Sequence, residues 1–348
     1  MHKRQLWLSF TLILLLALAA CGPATTPAAA PAIPTTVPTT VPAATATIAS
    51  TVAPTSAPTA AATATLISAF PLTVTDSNNH KVTLPSQPQK IISLAPSDTE
   101  IVYALGQGSR LVGVDLFSDY PPEAKSVLNI GGSRGNFDLE KIVALHPDVV
   151  LAAGTTSSDN LKKLEDLKLI VVVVSSDQTT MDSIMSDIKL VGTVLGVPAQ
   201  AAQVTAGMQL RLDSLKTKVA TAKSKPKVYW ELDGTNPAKP YTVGAGNFVN
   251  DLITLAGGEN VFGAVASPFP QVGAESVVAA APEVIILSDF AYGISPESVK
   301  ARSGWSGVPA VKNNRVMPID DALVSRPGPR IVNGLEAATR IIHPELFQ

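Results

Sequence analysis

The chain of 348 residues is long enough for two or three domains, and its 26 basic and 28 acidic residues give a formal net charge of −2. No run of basic residues occurs, which argues against binding of nucleic acid. Cysteine occurs once, so disulfide bonds within the chain and metal sites built from several thiolates are excluded. The four histidines are scattered, which disfavours a receptor for bare metal ions.

The N-terminus has the pattern of an export signal. Residues 2–4 are basic, residues 6–17 form an apolar segment too short to span a bilayer comfortably, and residues 18–20 are small. Cys21 follows directly, and Leu-Ala-Ala-Cys resembles the lipobox of bacterial lipoproteins, whose cysteine is acylated. We therefore predict a signal peptide over residues 1–20 and a lipid anchor at Cys21; an incidental free thiol is the alternative.

The segment that follows is almost wholly Ala, Thr, Pro, Val and Ser up to residue 68. Such a composition cannot form a packed core, so residues 21–68 are predicted to be a disordered tether that carries the lipidated cysteine. Removal of the signal peptide leaves 24 basic and 28 acidic residues, a net charge of −4. The folded domain is expected over residues 69–348.

The folded part begins with a predicted hairpin, because two alternating runs flank the Asn-rich turn at residues 77–80. Residues 91–94 then predict a buried strand. The sequence Ser97-Asp98-Thr99-Glu100 fits a capping box, which would start a helix that ends near Gly106.

Continuous apolar runs separated by helical patterns then recur, as a parallel sheet covered on both faces requires. In the first half they lie at residues 111–115, 149–153 and 170–175, and in the second half at residues 228–232, 284–288 and 316–319. The sequence therefore predicts an α/β protein with two Rossmann-like lobes and mainly parallel sheets, an N-lobe over about 69–196 and a C-lobe over about 226–348.

Between the lobes, residues 198–225 predict one long amphipathic helix. Pro198 suits its first turn, and Pro226 forbids its continuation. We interpret this helix as a rigid connector; the alternative is a long surface helix of a single α/β domain. Its apolar stripe is formed by Val204, Met208, Leu212, Leu215 and Val219.

An internal repeat favours two lobes. Residues 140–151 and 275–286 align without a gap, and each segment reads as a helix, a proline and a strand. Two related lobes joined by a stiff helix would leave a cleft between them, where small ligands usually bind. Glu140 and Glu275 occupy equivalent positions in the repeat, where a glutamate also stabilises the first turn of a helix.

Catalytic signatures are mostly missing, so we do not expect an enzyme. The segment from Gly244 begins like a dinucleotide-binding motif, but Val249 stands where its third glycine belongs. We interpret it as a glycine turn before a helix capped by Asn247. An exported nucleotide-dependent oxidoreductase that uses Gly244 and Gly246 remains the rival interpretation.

Polar and aromatic residues follow the predicted strands at the edge where open α/β sheets bind ligands. Any one of these residues could serve packing alone. Together they offer flat rings and two cations, which suits a bulky ligand that is partly apolar and partly anionic. The candidates are Tyr120 and Arg134 in the first lobe and Trp230, Tyr241, Phe269 and Arg326 in the second.

Several segments resemble the class III substrate-binding proteins of bacterial ABC importers for iron chelates and cobalamin, and are most similar to the cobalamin-binding branch. The resemblance runs from about Thr73 to the C-terminus. The segments are SDYPPEA (118–124), FDLEKIVALHPDVVL (137–151), PYTVG (240–244), GGENVFG (257–263), PFPQVGAESVV (268–278) and SRPGPRI (325–331).

This resemblance implies a monomeric receptor outside the cytoplasm, in the periplasm or on the cell exterior, anchored by lipid and without catalysis or a cofactor. Its partners would be a permease and an ATPase, with Glu140 and Glu275 docking onto permease arginines. Its ligand would be cobalamin or another corrinoid, and a ferric siderophore or heme is the alternative. By position, the resemblance assigns ligand contacts to Tyr120, Tyr241, Phe269 and the loop of Leu323, Ser325 and Arg326. Arg134 and Leu323 depart from aromatic residues of the cobalamin branch.

Overall fold

The computed structural model describes residues 69–133, 135–176 and 178–348. The predicted signal peptide, Cys21, the tether to residue 68 and Arg134 lie outside the described residues. Across the three described ranges, no helix has both the length and the apolar character needed to cross a membrane.

The N-lobe is built on a four-stranded parallel sheet. The strands of this lobe are β1 (Leu72–Thr75), β2 (Lys81–Leu84), β3 (Ile91–Ser93), β4 (Leu111–Val114), β5 (Gly131–Ser133), β6 (Asn136–Phe137), β7 (Val149–Ala152) and β8 (Val171–Val173). The sheet has the order β4-β3-β7-β8, and β1–β2 and β5–β6 are antiparallel hairpins. The predicted opening hairpin and the apolar strands are therefore confirmed.

The N-lobe helices are α1 (Pro96–Ala104), α2 (Leu139–Ala144), α3 (Ser158–Asp166) and α4 (Met181–Val194). The predicted capping box of α1 is wrong. Ala95 is the N-cap, Pro96 takes the first helical position, and Ser97 and Glu100 both lie inside the helix. A proline with its fixed φ is favoured at that first position, so the helix starts two residues early and Glu100 is free to bind elsewhere.

The connecting helix, α5 (Pro198–Val219), has 22 residues and is therefore about 33 Å long. It ends six residues before the predicted end, because two further backbone turns at Thr221 and Ala222 tighten the chain ahead of Pro226. Met208, Leu212 and Leu215 of the predicted stripe are buried. They pack in an apolar core shared by both lobes.

The C-lobe has its own mainly parallel sheet. Its strands are β9 (Lys227–Asp233), β10 (Tyr241–Thr242), β11 (Glu259–Asn260), β12 (Val284–Leu287) and β13 (Val316–Pro318). The order is β10-β9-β12-β13, with β12 parallel to both of its neighbours, β10 antiparallel, and β11 parallel to the start of β9.

The helices of the C-lobe cover this sheet. They are α6 (Phe248–Leu255), α7 (Ala274–Ala280), α8 (Pro296–Lys300), α9 (Pro309–Lys312), α10 (Asp321–Val324) and α11 (Ile331–Ile342). Helix α11 packs against α6 and also against α5, while α5 packs most extensively on α4. The connecting helix therefore contacts both lobes along its length.

The sequence repeat extends to the backbone. After α2 and α7, His146 and Ala281 take the left-handed conformation, with φ of 49° and 48°, and each precedes a proline. Two residues later, the N–H groups of Asp148 and Glu283 each donate at 2.8 Å to the carbonyl just before or at the start of the neighbouring central strand. The two lobes thus share one helix-to-strand unit.

Candidate functional site

A cavity of about 550 Å³ lies between the lobes, at the carboxyl ends of the strands of both sheets. In the N-lobe its lining residues follow all four parallel strands, and in the C-lobe they lie within β9 or follow β12 and β13. Open α/β sheets bind ligands at this edge, because the strands end there and the loops converge. The cleft between lobes that was predicted from the sequence is therefore present.

The N-lobe wall of the cleft carries small hydroxyl groups. The Thr179 hydroxyl donates to the Ser176 carbonyl at 2.6 Å, and the Ser175 hydroxyl accepts the N–H of Gly154 at 3.0 Å. Ser97 and Thr155 complete this polar surface. Such groups can form hydrogen bonds with neutral polar parts of a ligand.

The C-lobe wall is aromatic. Trp230 is fully buried in its floor, where the indole Nε1 donates to the Ser288 hydroxyl at 3.1 Å. Ser288 in turn donates to the carbonyl of Glu231 at 2.9 Å, so the indole orientation is fixed. Phe248, Phe269 and Tyr292 also line this wall. Their rings can cover a flat apolar ligand.

The glycine segment beside this wall is a structural turn. The Asn247 side chain caps α6 by accepting the N–H groups of Val249 and Asn250, each at 3.0 Å. Gly246 has φ of +73°, and a Cβ on Gly244 would lie 2.0 Å from the Ser267 carbonyl oxygen. The interpretation as a capped glycine turn is confirmed: close backbone packing requires glycine at position 244, and the left-handed φ favours glycine at position 246.

The cation at the cleft edge is already paired. The Arg326 Nη1 lies 2.6 Å from Asp119 Oδ1 and 3.3 Å from Glu100 Oε1, and its Nη2 donates to the Phe117 carbonyl. Asp321 lines the same edge, and burial raises the pKa of this carboxyl, opposed by a hydrogen bond from Ser325. The described lining residues therefore carry no cation without a carboxylate partner.

The structure separates the ligand contacts that were predicted from the sequence. Trp230, Phe269, Ser325 and Arg326 line the cleft. Tyr120 and Tyr241 are exposed and Leu323 is partly buried, and none of the three is in the lining. Their assignment as ligand contacts stays a prediction, as does that of Arg134.

Sequence reasoning missed Phe117, Phe248, Tyr292 and the hydroxyl groups of the N-lobe wall. Its choice of candidates favoured large polar aromatic residues and arginines. The signal that would have found the hydroxyl groups is position alone, since Ser97, Thr155, Ser175 and Ser288 fall within a few residues of a strand end. In a parallel sheet these positions share one edge, whatever the residue type.

Two buried polar clusters lie outside the cleft lining. In the N-lobe, burial and the nearby Asp187 raise the pKa of Asp98 well above its usual range, and burial raises the pKa of Asp187 to about 6. In the C-lobe, Arg302 donates two hydrogen bonds to Glu231, at 2.6 and 2.7 Å. In the described part of the chain, no group of three or more His, Cys, Asp or Glu side chains is placed to hold a metal ion.

The two repeat glutamates occupy equivalent places. Glu140 lies in the first turn of α2 and Glu275 in the first turn of α7, and both side chains are exposed. Neither forms an ion pair with any residue that the structure describes.

Comparison with known proteins gives consistent matches. The family model described as periplasmic binding protein matches residues 91–323. The uncharacterized ABC transporter substrate-binding lipoprotein YvrC of Bacillus subtilis is 33% identical over 282 residues, which cover 80% of this chain and 88% of that protein. A vitamin B12-binding protein of Vibrio parahaemolyticus is 33% identical over 258 residues, or 73% of this chain and 90% of that protein. A possible iron-binding, periplasmic solute-binding protein of Staphylococcus epidermidis has a solved structure with 30% identity and a TM-score of 0.65, covering 74% of this chain and 100% of that one.

The chain therefore belongs to the periplasmic binding protein family. The members of this family are binding proteins and not enzymes. The two α/β lobes, the connecting helix and the cleft agree with this membership. The family and fold class predicted from the sequence are confirmed.

Proposed function

We propose that the chain is the receptor of an ABC importer and that it binds a corrinoid, most specifically cobalamin, in the interlobe cleft. The chain shares 33% identity with a vitamin B12-binding protein and, separately, with an ABC transporter substrate-binding lipoprotein. These relatives support the class of ligand and the class of partner.

The observation that carries the proposal is the charge of the cleft. Its described lining combines aromatic rings with hydroxyl groups, and its one described arginine is paired with Asp119 and Glu100. A large flat ring with neutral amide side chains fits such a site: rings stack on the C-lobe wall, and amides bond to the hydroxyl groups. Burial of apolar area, at about 25 cal/mol per Å², would drive binding, less the cost of immobilising the ligand.

The second candidate is a ferric siderophore or heme receptor, which the similarity to a possible iron-binding protein favours. Anionic carboxylate or catecholate groups need free cations to balance their desolvation. Asp321 at the cleft edge offers such groups no positive charge and Arg326 is already paired, so this candidate has less support from the described residues.

Two further parts of the proposal concern attachment and partners. We place the lipid anchor at Cys21, which would hold the receptor at the outer face of the cell membrane. Glu140 and Glu275 are proposed to dock onto the permease, because they present one exposed charge on each lobe at equivalent positions. The receptor is proposed to act as a monomer.

Calorimetric titration tests the ligand. The chain without residues 1–20 and with Cys21→Ser would be titrated with cyanocobalamin, cobinamide, heme and several ferric siderophores. We expect micromolar or tighter binding of the corrinoids. Phe269→Ala in the cleft should weaken it about tenfold, since a buried aromatic contact is lost, whereas Phe290→Ala outside the lining should not.

The outcomes are distinct. Siderophore or heme binding without corrinoid binding would select the second candidate. A rise in thermal stability with a nicotinamide cofactor, and with no chelate, would instead favour an enzyme, because a ligand of the native state stabilises it by mass action.

A further inference from the structure

One loop of the C-lobe lies directly on the N-lobe. Residues 325–330, between α10 and α11, cross to helix α1, and a Cβ on Gly328 would lie 3.5 Å from the Ser97 carbonyl oxygen and 4.0 Å from Glu100 Cβ. Pro327 and Pro329 restrict the loop, because each fixes its own φ. The loop therefore spans the lobes in a defined conformation at the edge of the cleft.

An ion-pair cluster, here called the interlobe clasp, fixes this crossing. It consists of Glu100 and Asp119 from the N-lobe and Arg326 and Arg330 from the C-lobe. Arg330 binds Glu100 in a bidentate manner, with Nε to Oε2 at 2.8 Å and Nη2 to Oε1 at 2.6 Å. Arg326 joins Asp119 to the same Glu100 oxygen. Both arginines thus converge on one carboxylate.

The clasp is mostly shielded from water. The Glu100 side chain is 2% exposed and each arginine side chain 16%, while Asp119 is 53% exposed. The Arg330 guanidinium also stacks on the Tyr120 ring, 3.8 Å from its centroid. Charges that are buried to this extent interact strongly. Removal of one partner leaves the other as a buried charge without compensation.

The placement of the clasp connects it to binding. Arg326 lines the ligand cleft, whereas Glu100 does not. Arg326 and Arg330, four residues apart in the C-lobe, both bind Glu100 of the N-lobe, so that carboxylate links the two lobes on this side of the cleft. Away from the clasp, a single hydrogen bond between described residues links α6 of the C-lobe to the start of α4: Asp251 accepts the N–H of Met181 at 3.0 Å.

We propose that Glu100 is a positioning residue of the cleft, which holds the two lobes at a fixed separation through Arg326 and Arg330 and thereby slows the release of ligand. Glu100 acts through the arginines and does not touch the ligand. The lobe separation is independent of what binds; only the effect on release rests on the proposed function.

Electron paramagnetic resonance distances test the separation without ligand. Spin labels at Lys163→Cys in α3 and Glu297→Cys in α8, both exposed, would report on the two lobes in the full chain with Cys21→Ser. We expect Glu100→Gln to broaden the interlobe distance distribution about twofold, because the loss of charge releases both arginines. An unchanged width in folded Glu100→Gln would overturn the proposal.

Two further variants separate positioning from stability. Arg330→Lys keeps the charge but loses the bidentate fork, and should also broaden the distribution. Glu336→Gln is the matched control, because Glu336 pairs with Arg211 and Arg340 at exposed positions, and it should leave the width unchanged. Broadening as large in the control as in Glu100→Gln would also count against the clasp.

Ligand kinetics complete the test. With cyanocobalamin, Glu100→Gln should raise the dissociation rate about tenfold and change the association rate little, as most effects of this kind lie in dissociation. A lowered melting temperature with unchanged distances and rates would reduce Glu100 to a structural role and reject the proposal.

The test still decides the proposal if the variant does not fold or if the ligand does not bind. If Glu100→Gln does not fold, Asp119→Asn at the exposed end of the clasp takes its place, with a smaller broadening expected and an unchanged width as the contrary result. If cyanocobalamin binds no variant, the wild type included, the proposed ligand fails and the distance measurement still decides the clasp.

Discussion

In the N-lobe, the buried carboxyl groups of Asp98 and Asp187 form no ion pair with any described residue, whereas in the C-lobe Glu231 is held by the guanidinium of Arg302. Burial raises the pKa of both N-lobe acids, which favours their neutral, protonated forms. The two lobes share a helix-to-strand unit down to its left-handed residue. The shared backbone unit therefore does not determine how each lobe accommodates its buried acidic side chains.

The two walls of the cleft also differ in their side chains. The N-lobe presents serine and threonine hydroxyl groups, and the C-lobe presents aromatic rings on a fixed indole. Both walls use residues at the carboxyl ends of parallel strands. The two related lobes thus offer a ligand one face for hydrogen bonds and one face for stacking.

The largest expected effect comes from reversing the charge of the exposed glutamate that each lobe carries at the equivalent position of the repeat. Reversal of both charges, Glu140→Arg with Glu275→Arg, should abolish uptake and leave ligand affinity unchanged, because the proposed docking uses both carboxylates and neither lines the cleft. Uptake in reconstituted vesicles and calorimetric affinity measure the two.

The control reverses exposed glutamates elsewhere on each lobe, Glu165→Arg with Glu297→Arg, and should keep uptake. Persistent uptake after reversal of Glu140 and Glu275 would show that the docking assignment is incorrect.

The next largest effect is expected from a substitution that breaks the ion pair between Arg302 and Glu231 in the C-lobe. Arg302→Gln should lower the free energy of unfolding by about 3–5 kcal/mol, since Glu231 is 0% exposed and would keep a buried charge without its partner. Urea unfolding measures the change. Arg340→Gln is the control, because its pair with Glu336 is exposed and should cost about 0.5 kcal/mol or less. Equal losses in the two variants would contradict the assignment.

A smaller effect concerns proton binding by Asp187 of the N-lobe. The pKa of Asp187 is raised to about 6 by burial, so between about pH 4 and pH 6 the folded chain holds a proton that the unfolded chain has lost. Stability is therefore expected to fall as pH rises from about 4 to about 6, and to level off above that. Asp187→Asn should remove about 2–3 kcal/mol of this fall.

Unfolding measured at several pH values tests this expectation. Asp289→Asn makes the C-lobe comparison, because burial and the neighbouring Glu231 raise the pKa of Asp289 to about 6 as well. A pH dependence that survives intact in Asp187→Asn would refute the N-lobe assignment.

The smallest effect sharpens the comparison of the repeats. Asp138 caps α2 by accepting the N–H of Lys141, whereas Gly273 at the equivalent position of α7 has no side chain. Asp138→Ala should cost about 1 kcal/mol, and Gly273→Asp should gain a few tenths, roughly 0.3 kcal/mol. Gly273 has φ of −70° and a Cβ would meet only Ser276 Oγ at 3.8 Å, so the substitution is unstrained. Thermal unfolding of both variants checks the signs, and a loss at Gly273→Asp would be the contrary result.

Much of the fold could be predicted because apolar periodicity is a local signal. The apolar run at residues 284–288 became the central strand β12, and the stripe through Met208, Leu212 and Leu215 became the buried face of α5. The ends were less predictable. Helix α1 starts at Pro96 and α5 stops at Val219, since helix termini depend on backbone hydrogen bonds that composition does not specify.

The candidate site could be predicted only in part. Trp230 and Phe269 lie in the cleft lining, but Tyr120 stacks on Arg330 outside it. From the sequence, Arg326 was a candidate cation for binding a ligand. In the structure its guanidinium is paired with Asp119 and Glu100, which are more than 200 residues away in the chain.

The sequence by itself determined the two α/β lobes, the connecting helix and the family, because each is encoded in local patterns of apolar residues, prolines and short motifs. Only the tertiary structure decided which residues face the cleft, which charges are paired and which acids have a raised pKa. These properties depend on distances between segments far apart in the chain, and both electrostatic interaction and desolvation change steeply with those distances.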